Sequence, residues 1–164
     1  MTYRICFVCT GNICRSPMAE VVLGHEASAL GLAGQLAVDS AGTAADVGFD
    51  IDRRARGALE RRGYRPASHR ARQFQPSWLN DRDLVVAMDR THLRWLKTHA
   101  PVRPYAAQVR LLLSYRSGQA RPVEPLEVPD PYYGDEREFE WCLDLIEAGC
   151  ASLLDELATE LAPG

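Results

Sequence analysis

The sequence predicts an α/β protein built on a parallel β-sheet, and three observations carry that expectation. Two short apolar runs, Ile5-Cys6-Phe7-Val8 and Leu84-Val85-Val86-Ala87, lack polar alternation, as strands buried on both faces do. Each is followed by a turn and a helix-start pattern, Ser16-Pro17 after the first and Asp89-Arg90-Thr91 after the second. Strand and helix signals then alternate along the chain, which calls for right-handed crossovers between parallel neighbours.

Taken in order, residues from about Arg4 to Val8 form the first strand, and Pro17 to about Leu30 an amphipathic helix. Ser16 is its expected N-cap, Pro17 its first helical position and Glu20 a residue of its first turn, beside the positive dipole end. Met18, Val21, Val22, Ala29 and Leu30 supply its core face, and Gly31 closes it. Leu36 to Ser40 is a second strand, ended by Ser40-Ala41-Gly42-Thr43. Asp46 to Asp52 reads as a loop and Arg53 to about Arg62 as a helix stopped by Gly63. Asp83 to Met88 is the third strand, and Asp89 caps a helix from about Thr91 to His99, whose His92, Trp95 and Leu96 read as surface and packing residues. Pro101 and Pro104 break the chain before a fourth strand, Val109 to Leu113, and a long loop rich in Gly, Pro and Glu. The tail, about Glu136 to Leu161, is one long helix with Phe139, Cys142, Leu145, Ile146, Gly149, Cys150, Leu153, Leu154 and Leu157 on one stripe. The expected fold is thus a three-layer α/β/α sandwich, Rossmann-like or flavodoxin-like, with a central four-stranded parallel sheet in a single domain over residues 1–164.

Composition narrows the function. At 46% hydrophobic and 25% charged residues, the 164-residue chain resembles a soluble globular protein with one core. A formal charge of −3 gives no support to nucleic-acid binding, and no stretch nears the roughly 18 apolar residues that a membrane span needs. The apolar run before Thr10 is too short for a secretory leader, so a cytoplasmic monomer is the default expectation, with signal-less export left open. The five cysteines read as thiols rather than a disulfide framework. Cys6 and Cys9 have the spacing of a redox pair or of half a zinc site, but no second ligand pair follows, so neither a metal nor a cofactor is expected. Cys142 and Cys150 fall on the apolar stripe of the last helix and read as core thiols.

The chemistry concentrates in Cys9-Thr10-Gly11-Asn12-Ile13-Cys14-Arg15, which joins the first strand to the first helix. A loop of this length can curl so that successive N–H groups point into one concavity, and an oxyanion fits there. Those dipoles, the helix N-terminus and a guanidinium all favour a thiolate, the form of cysteine that attacks. Arg15 offers a planar fork that grips two phosphate oxygens, which a lysine point charge cannot. Gly11 allows close backbone approach, Asn12 tolerates left-handed geometry, and Ser16 can donate a hydroxyl hydrogen bond to the Cys9 sulfur. Cys14 lies close enough along the curled loop to form a reversible disulfide with Cys9, or simply packs beneath it.

The string Val8-Cys9-Thr10-Gly11-Asn12-Ile13-Cys14-Arg15-Ser16-Pro17 resembles the signature of the low-molecular-weight protein tyrosine phosphatases. Three later segments resemble that family in the right order: Asp39-Ser40-Ala41-Gly42-Thr43, Ser68-His69-Arg70-Ala71-Arg72-Gln73 and Asp130-Pro131-Tyr132-Tyr133. The resemblance implies a signalling hydrolase that cleaves phosphotyrosine in protein substrates and is inhibited by phosphate-like oxyanions. Cys9 would be the nucleophile, residues 10 to 15 the phosphate cradle, and Asp130, stiffened by prolines on both sides, the general acid and base. Ser40 would bond Asn12 from below, and His69 would bond Asn12 and pair with Glu20, while Arg70 and Arg72 read as solvated charges. Ile13, Tyr132 and Tyr133 would flank a substrate ring, the tyrosines being phosphorylation sites in relatives. Relatives commonly carry an aromatic cleft wall shortly after the Gly-Thr pair; Ala44, Ala45 and Asp46 stand there instead, and Phe49 is the nearby aromatic candidate. Protein-arginine phosphatase is the first alternative, disfavoured by Ile13 where that activity goes with threonine. Arsenate reductase needs two further relay cysteines, absent near residues 75 to 95, and a phosphotyrosine-binding adaptor would not need Cys9 with Asp130.

Overall fold

In the computed structural model, which describes residues 1–117 and 124–161, the strands are β1 (Tyr3–Cys9), β2 (Leu36–Gly42), β3 (Leu84–Ala87) and β4 (Gln108–Leu111). The helices are α1 (Arg15–Ala29), α2 (Arg53–Arg61), α3 (Arg90–His99) and α4 (Glu136–Leu161). All strands are parallel, in the order β2-β1-β3-β4, with Ile5 opposite Leu84 and Cys9 opposite Gly42. The chain runs outward from β1 to β2 and then crosses to β3 on the other side. The strand order therefore reverses at β1, and the crevice at its C-terminal end is where open α/β sheets bind ligands. Cys9 is the last residue of that strand.

Period-two alternation along β1 divides the core into two layers. Ile5 and Phe7 pack with Leu84 and Val86 against α1, α2 and α4, through Met18, Leu23, Leu59, Phe139 and Ile146. Cys6 and Val8 face the opposite layer with Val85, Ala87, Phe74, Leu79 and Leu96, beneath α3 and a 3₁₀ turn at Pro76–Asn80. Cys6 is thus a core thiol, as are Cys142 and Cys150.

Several boundaries differ from the sequence expectation. Helix α1 begins at Arg15 with Cys14 as its N-cap and no capping side chain, so Ser16 is helical and Glu20 lies in the second turn. The curled loop merges directly into the helix, and that leaves the Ser16 hydroxyl for other work. Strand β2 extends to Gly42, and β4 stops at Leu111 because Leu112–Ser117 coil into a 3₁₀ turn under α4. Part of the Gly/Pro/Glu-rich loop, residues 118–123, lies outside the described residues.

That turn packs against Gly149, where an added Cβ would stand 2.6 Å from the Leu112 Cγ and 3.1 Å from the Leu113 Cδ2. Gly149→Ala is therefore expected to destabilise the fold by about 1–3 kcal/mol, although alanine favours helix by up to about 1 kcal/mol. A urea midpoint equal to or above the wild type's would disprove the overpacking.

Candidate active site

The loop after β1 is fixed from outside by its carbonyls. Cys9 O accepts from the Thr43 N–H at 2.9 Å, Thr10 O from Ala44 at 3.0 Å, Gly11 O from Asp46 at 2.9 Å and Ile13 O from Asp52 at 2.8 Å. The remaining Asn12 O meets His69 Nε2 at 2.7 Å. By contrast, none of the N–H groups from Thr10 to Arg15 donates to another described residue. Carbonyls turned out and amides left over make a concave cradle for an anion.

Asn12 is the hub of this turn. It is wholly buried at φ 59°, a left-handed conformation that asparagine tolerates. Its Nδ2 donates to Ser16 Oγ at 2.9 Å and Ser40 Oγ at 3.0 Å, and its Oδ1 accepts from the Arg72 N–H at 2.9 Å. Ser16 Oγ in turn lies 2.9 Å from Cys9 Sγ. Gly11 has no positive φ, and a Cβ there would meet Asp46 Oδ2 at 2.7 Å, the end of an exposed side chain that can turn away.

Arg15 is 3% exposed, with Nη1 anchored on Asp89 Oδ2 at 2.8 Å and Val128 O at 2.9 Å. Among the described residues its other terminal nitrogen, Nη2, makes only long contacts, 3.5 Å to Thr10 Oγ1, 3.5 Å to His92 Nε2 and 3.7 Å to Asp130 Oδ2. One nitrogen holds the fork still and the other remains for a ligand. Burial works against the guanidinium charge, but Cys9, Asp89 and Asp130 outweigh it and keep the group protonated. Burial likewise opposes the Asp89 carboxylate, while Arg15 and the His92 backbone N–H hold it below the usual range.

The cleft above has a volume of about 290 Å³. Cys9, Thr10, Gly11, Ile13, Cys14 and Arg15 line one side, and Asp130, Tyr132 and Tyr133 the other. The Asp130 side chain is 46% exposed and its Oδ1 accepts the Tyr132 N–H at 3.1 Å. The two tyrosine rings meet edge to face at 5.0 Å. All five cysteines are free thiols, and burial pushes Cys14 well above the ordinary thiol range. Among the described residues no His/Cys/Asp/Glu cluster could hold a metal ion.

Four expectations need correction. Phe49 does not line the cleft; it is 65% exposed, its N–H bonding Asp46 O in a turn that carries the ring away, and Ala44 and Asp46 form the wall. His69 reaches Asn12, but it is not among the groups that act on Glu20, which are Asp39, Arg72 and Ser40. Glu20 instead takes Ser40 as its hydrogen-bond partner, and burial pushes its carboxyl up to about 7. Arg72, although its side chain is 44% exposed, is more than a solvated charge, since its guanidinium binds Asp39 and Ser40 O and stacks on Trp78. Lastly, His92 is not a surface residue. It is wholly buried, with Nε2 2.8 Å from Thr10 Oγ1 and Nδ1 beside its own helix cap, Asp89. One signal for Asp89 and His92 was present: they follow directly on a buried parallel strand, where open sheets place their ligands.

Burial, reinforced by Arg15, pushes the His92 imidazole down to about 4 from an ordinary 6.5. Between those two pH values the unfolded chain binds a proton that the folded chain rejects. Stability from this group is therefore fully present above pH 6.5 and is lost as the pH falls towards 4. We expect the wild type to lose about 3 kcal/mol more than His92→Gln over that window. Comparing the two variants cancels the opposite contribution of Glu20. Parallel stability curves in chemical denaturation would contradict this.

A strand-end cysteine in an amide cradle, an anchored arginine and a carboxylate across the cleft define the class: an α/β protein with a thiol set in a concavity whose shape and donors suit an oxyanion. The sequence matches the family described as low molecular weight phosphotyrosine protein phosphatase over residues 4–162, and the chain belongs to that family. A low molecular weight protein-tyrosine-phosphatase of Streptomyces coelicolor is 50% identical over 155 residues, covering 94% of this chain and 93% of that protein. A protein tyrosine phosphatase structure from Entamoeba histolytica superposes with a TM-score of 0.87 at 31% identity, covering 97% of this chain and 99% of the other. The YfkJ structure from Bacillus subtilis gives 0.84 at 33% identity, covering 98% of each chain.

Proposed function

We propose that this chain, acting as one domain, hydrolyses phosphotyrosine in protein substrates through a cysteinyl-phosphate intermediate. The observation that carries the reading is the set of undonated N–H groups from residues 10 to 15, curled around Cys9 with the free face of Arg15 beside it. Those donors match three phosphoryl oxygens, and their hold strengthens as charge spreads over the transferring group.

In the first step the Cys9 thiolate attacks phosphorus, the bond from phosphorus to the phenol oxygen breaks, and Asp130 gives that oxygen its proton. Ser16, 2.9 Å from the sulfur, donates to the thiolate before attack and after release. In the second step the Asp130 carboxylate takes a proton from water, the water oxygen attacks phosphorus, and the sulfur leaves again as thiolate. Inorganic phosphate departs and the enzyme is restored. Ile13 and the two tyrosines suit an aromatic ring rather than a polar guanidinium.

The test is phosphate release by reduced protein, in chelator, from a phosphotyrosine peptide and a phosphoarginine peptide. Turnover of the phosphotyrosine peptide is expected. Release from phosphoarginine alone would transfer the assignment to an arginine phosphatase, and silence on both would remove hydrolysis altogether.

A further inference from the structure

We propose that the Thr10 hydroxyl is a phosphate-binding donor of this cleft and that His92, on α3, is the positioning residue that aims it. The proposal rests on the phosphatase reading and adds to it a side chain donor and the group that orients it.

The hydrogen-bond network assigns the protons. The Asp89 N–H reaches His92 Nδ1 at 3.2 Å, and a backbone N–H can only donate, so Nδ1 is the acceptor. Asp89 Oδ1, which also lies near Nδ1, already accepts the N–H groups of Thr91 at 2.9 Å and His92 at 3.2 Å. Arg15 Nη2, which can only donate, also stands 3.5 Å from Nε2, but the shorter Asp89 N–H contact at Nδ1 outweighs it, so the neutral ring carries its proton on Nε2. That nitrogen stands 2.8 Å from Thr10 Oγ1, so Nε2–H donates to the hydroxyl oxygen. Arg15 Nη2, 3.5 Å away, presents a second donor to the same oxygen.

With its lone pairs facing these two donors, the hydroxyl has to send its own proton elsewhere. Thr10 lines the cleft beside Cys9 and Arg15, and the open direction is the one in which a phosphoryl oxygen arrives. The arrangement is rigid because His92 is wholly buried and tied to the cap of its own helix. Rigidity matters here. A freely rotating hydroxyl would have to be ordered by the ligand, whereas one held from behind is ready when the ligand enters. A valine has nearly the shape of threonine and would pack as well, so the hydroxyl is the part that needs a function.

The test compares Thr10→Val, Thr10→Ser, His92→Phe, His92→Gln and the Thr10→Val/His92→Phe double variant with the wild type. Inorganic phosphate binding is measured by calorimetry, and kcat and KM are measured on a phosphotyrosine peptide. Thr10→Val should weaken phosphate binding about tenfold, the scale of a hydrogen bond to a charged group, and Thr10→Ser should retain it. His92→Phe should lose nearly as much, and the double variant no more than either single one. His92→Gln keeps an N–H donor for Thr10 and an acceptor for Asp89, and should restore binding. The ¹⁵N shifts of His92 give a reading in the intact wild type, where the proton should sit on Nε2.

Unchanged phosphate affinity in Thr10→Val, additive losses in the double variant, or a proton found on Nδ1 would each overturn the proposal. If His92→Phe fails to fold, the Thr10 pair, His92→Gln and the ¹⁵N shifts still decide it. Phosphate binding needs no turnover. A wild type that binds phosphate but leaves phosphotyrosine intact would sink the phosphatase reading alone, and the affinity ratios would still judge Thr10 and His92.

Discussion

Cys9→Ser should lose phosphotyrosine turnover by roughly 10⁶-fold, the scale seen when a covalent hydrolase loses its nucleophile. The cradle, the helix N-terminus and the Ser16 hydroxyl at 2.9 Å can stabilise a thiolate, the form of cysteine that attacks. They cannot ionise an alcohol to any useful extent. Phosphomonoesters hydrolyse among the slowest of biological reactions without help, so little background activity will mask the loss. The amide cradle and Arg15 do not depend on the sulfur, and the variant should still bind a phosphopeptide. The measurement is single-turnover phosphate release together with phosphopeptide affinity. Activity within tenfold of wild type would exclude Cys9 as the nucleophile, and lost activity with lost binding would assign it a structural role instead.

Asp130→Asn should slow turnover by about 10²–10⁴-fold, the usual share of general acid and base catalysis. The side chain is 46% exposed, and an amide oxygen can still accept the Tyr132 N–H, so folding should be unaffected. What distinguishes an acid from a spectator is the leaving group. A tyrosine peptide leaves as a poor, basic phenolate and needs the proton, whereas an aryl phosphate with a more acidic phenol needs it less. The loss should therefore be large for the peptide and small for the activated aryl ester, as long as formation of the phosphocysteine is being observed. A uniform loss across leaving groups would remove Asp130 from proton transfer and leave it an electrostatic partner of Arg15, 3.7 Å away.

The sequence made the strands and the long helix legible because their signals are local. An unbroken apolar run at residues 84–87 can be buried on both faces, and the stripe from Phe139 to Leu157 is the buried face of α4, whose bounds of Glu136 and Leu161 are those the sequence predicts. Local rules failed where the chain serves a loop or a distant contact. Ser16 has the composition of a cap, but the curling of residues 9–14 draws the helix start to Arg15. Strand β4 ends early because Leu112 and Leu113 are taken up by the turn under Gly149. Phe49 is aromatic and near the cleft in sequence, yet the direction of a side chain in a turn depends on the backbone bonds of that turn.

By itself, then, the sequence determined the alternation of strands and helices, the contiguous cradle from Cys9 to Arg15 and the carboxylate between two prolines. All of these are properties of neighbouring residues, set by periodicity, turn chemistry and reactive groups at short spacing. Only the tertiary structure decided what stands behind the cradle. Asp89 reaches Arg15 across 74 positions, His92 reaches Thr10 across 82, and Arg72 reaches Asn12 across 60. The reason is topological. Parallel strands bring the C-terminal ends of β1, β2 and β3 to one edge, so residues remote in the chain converge there, and no local pattern records which side chain will meet which.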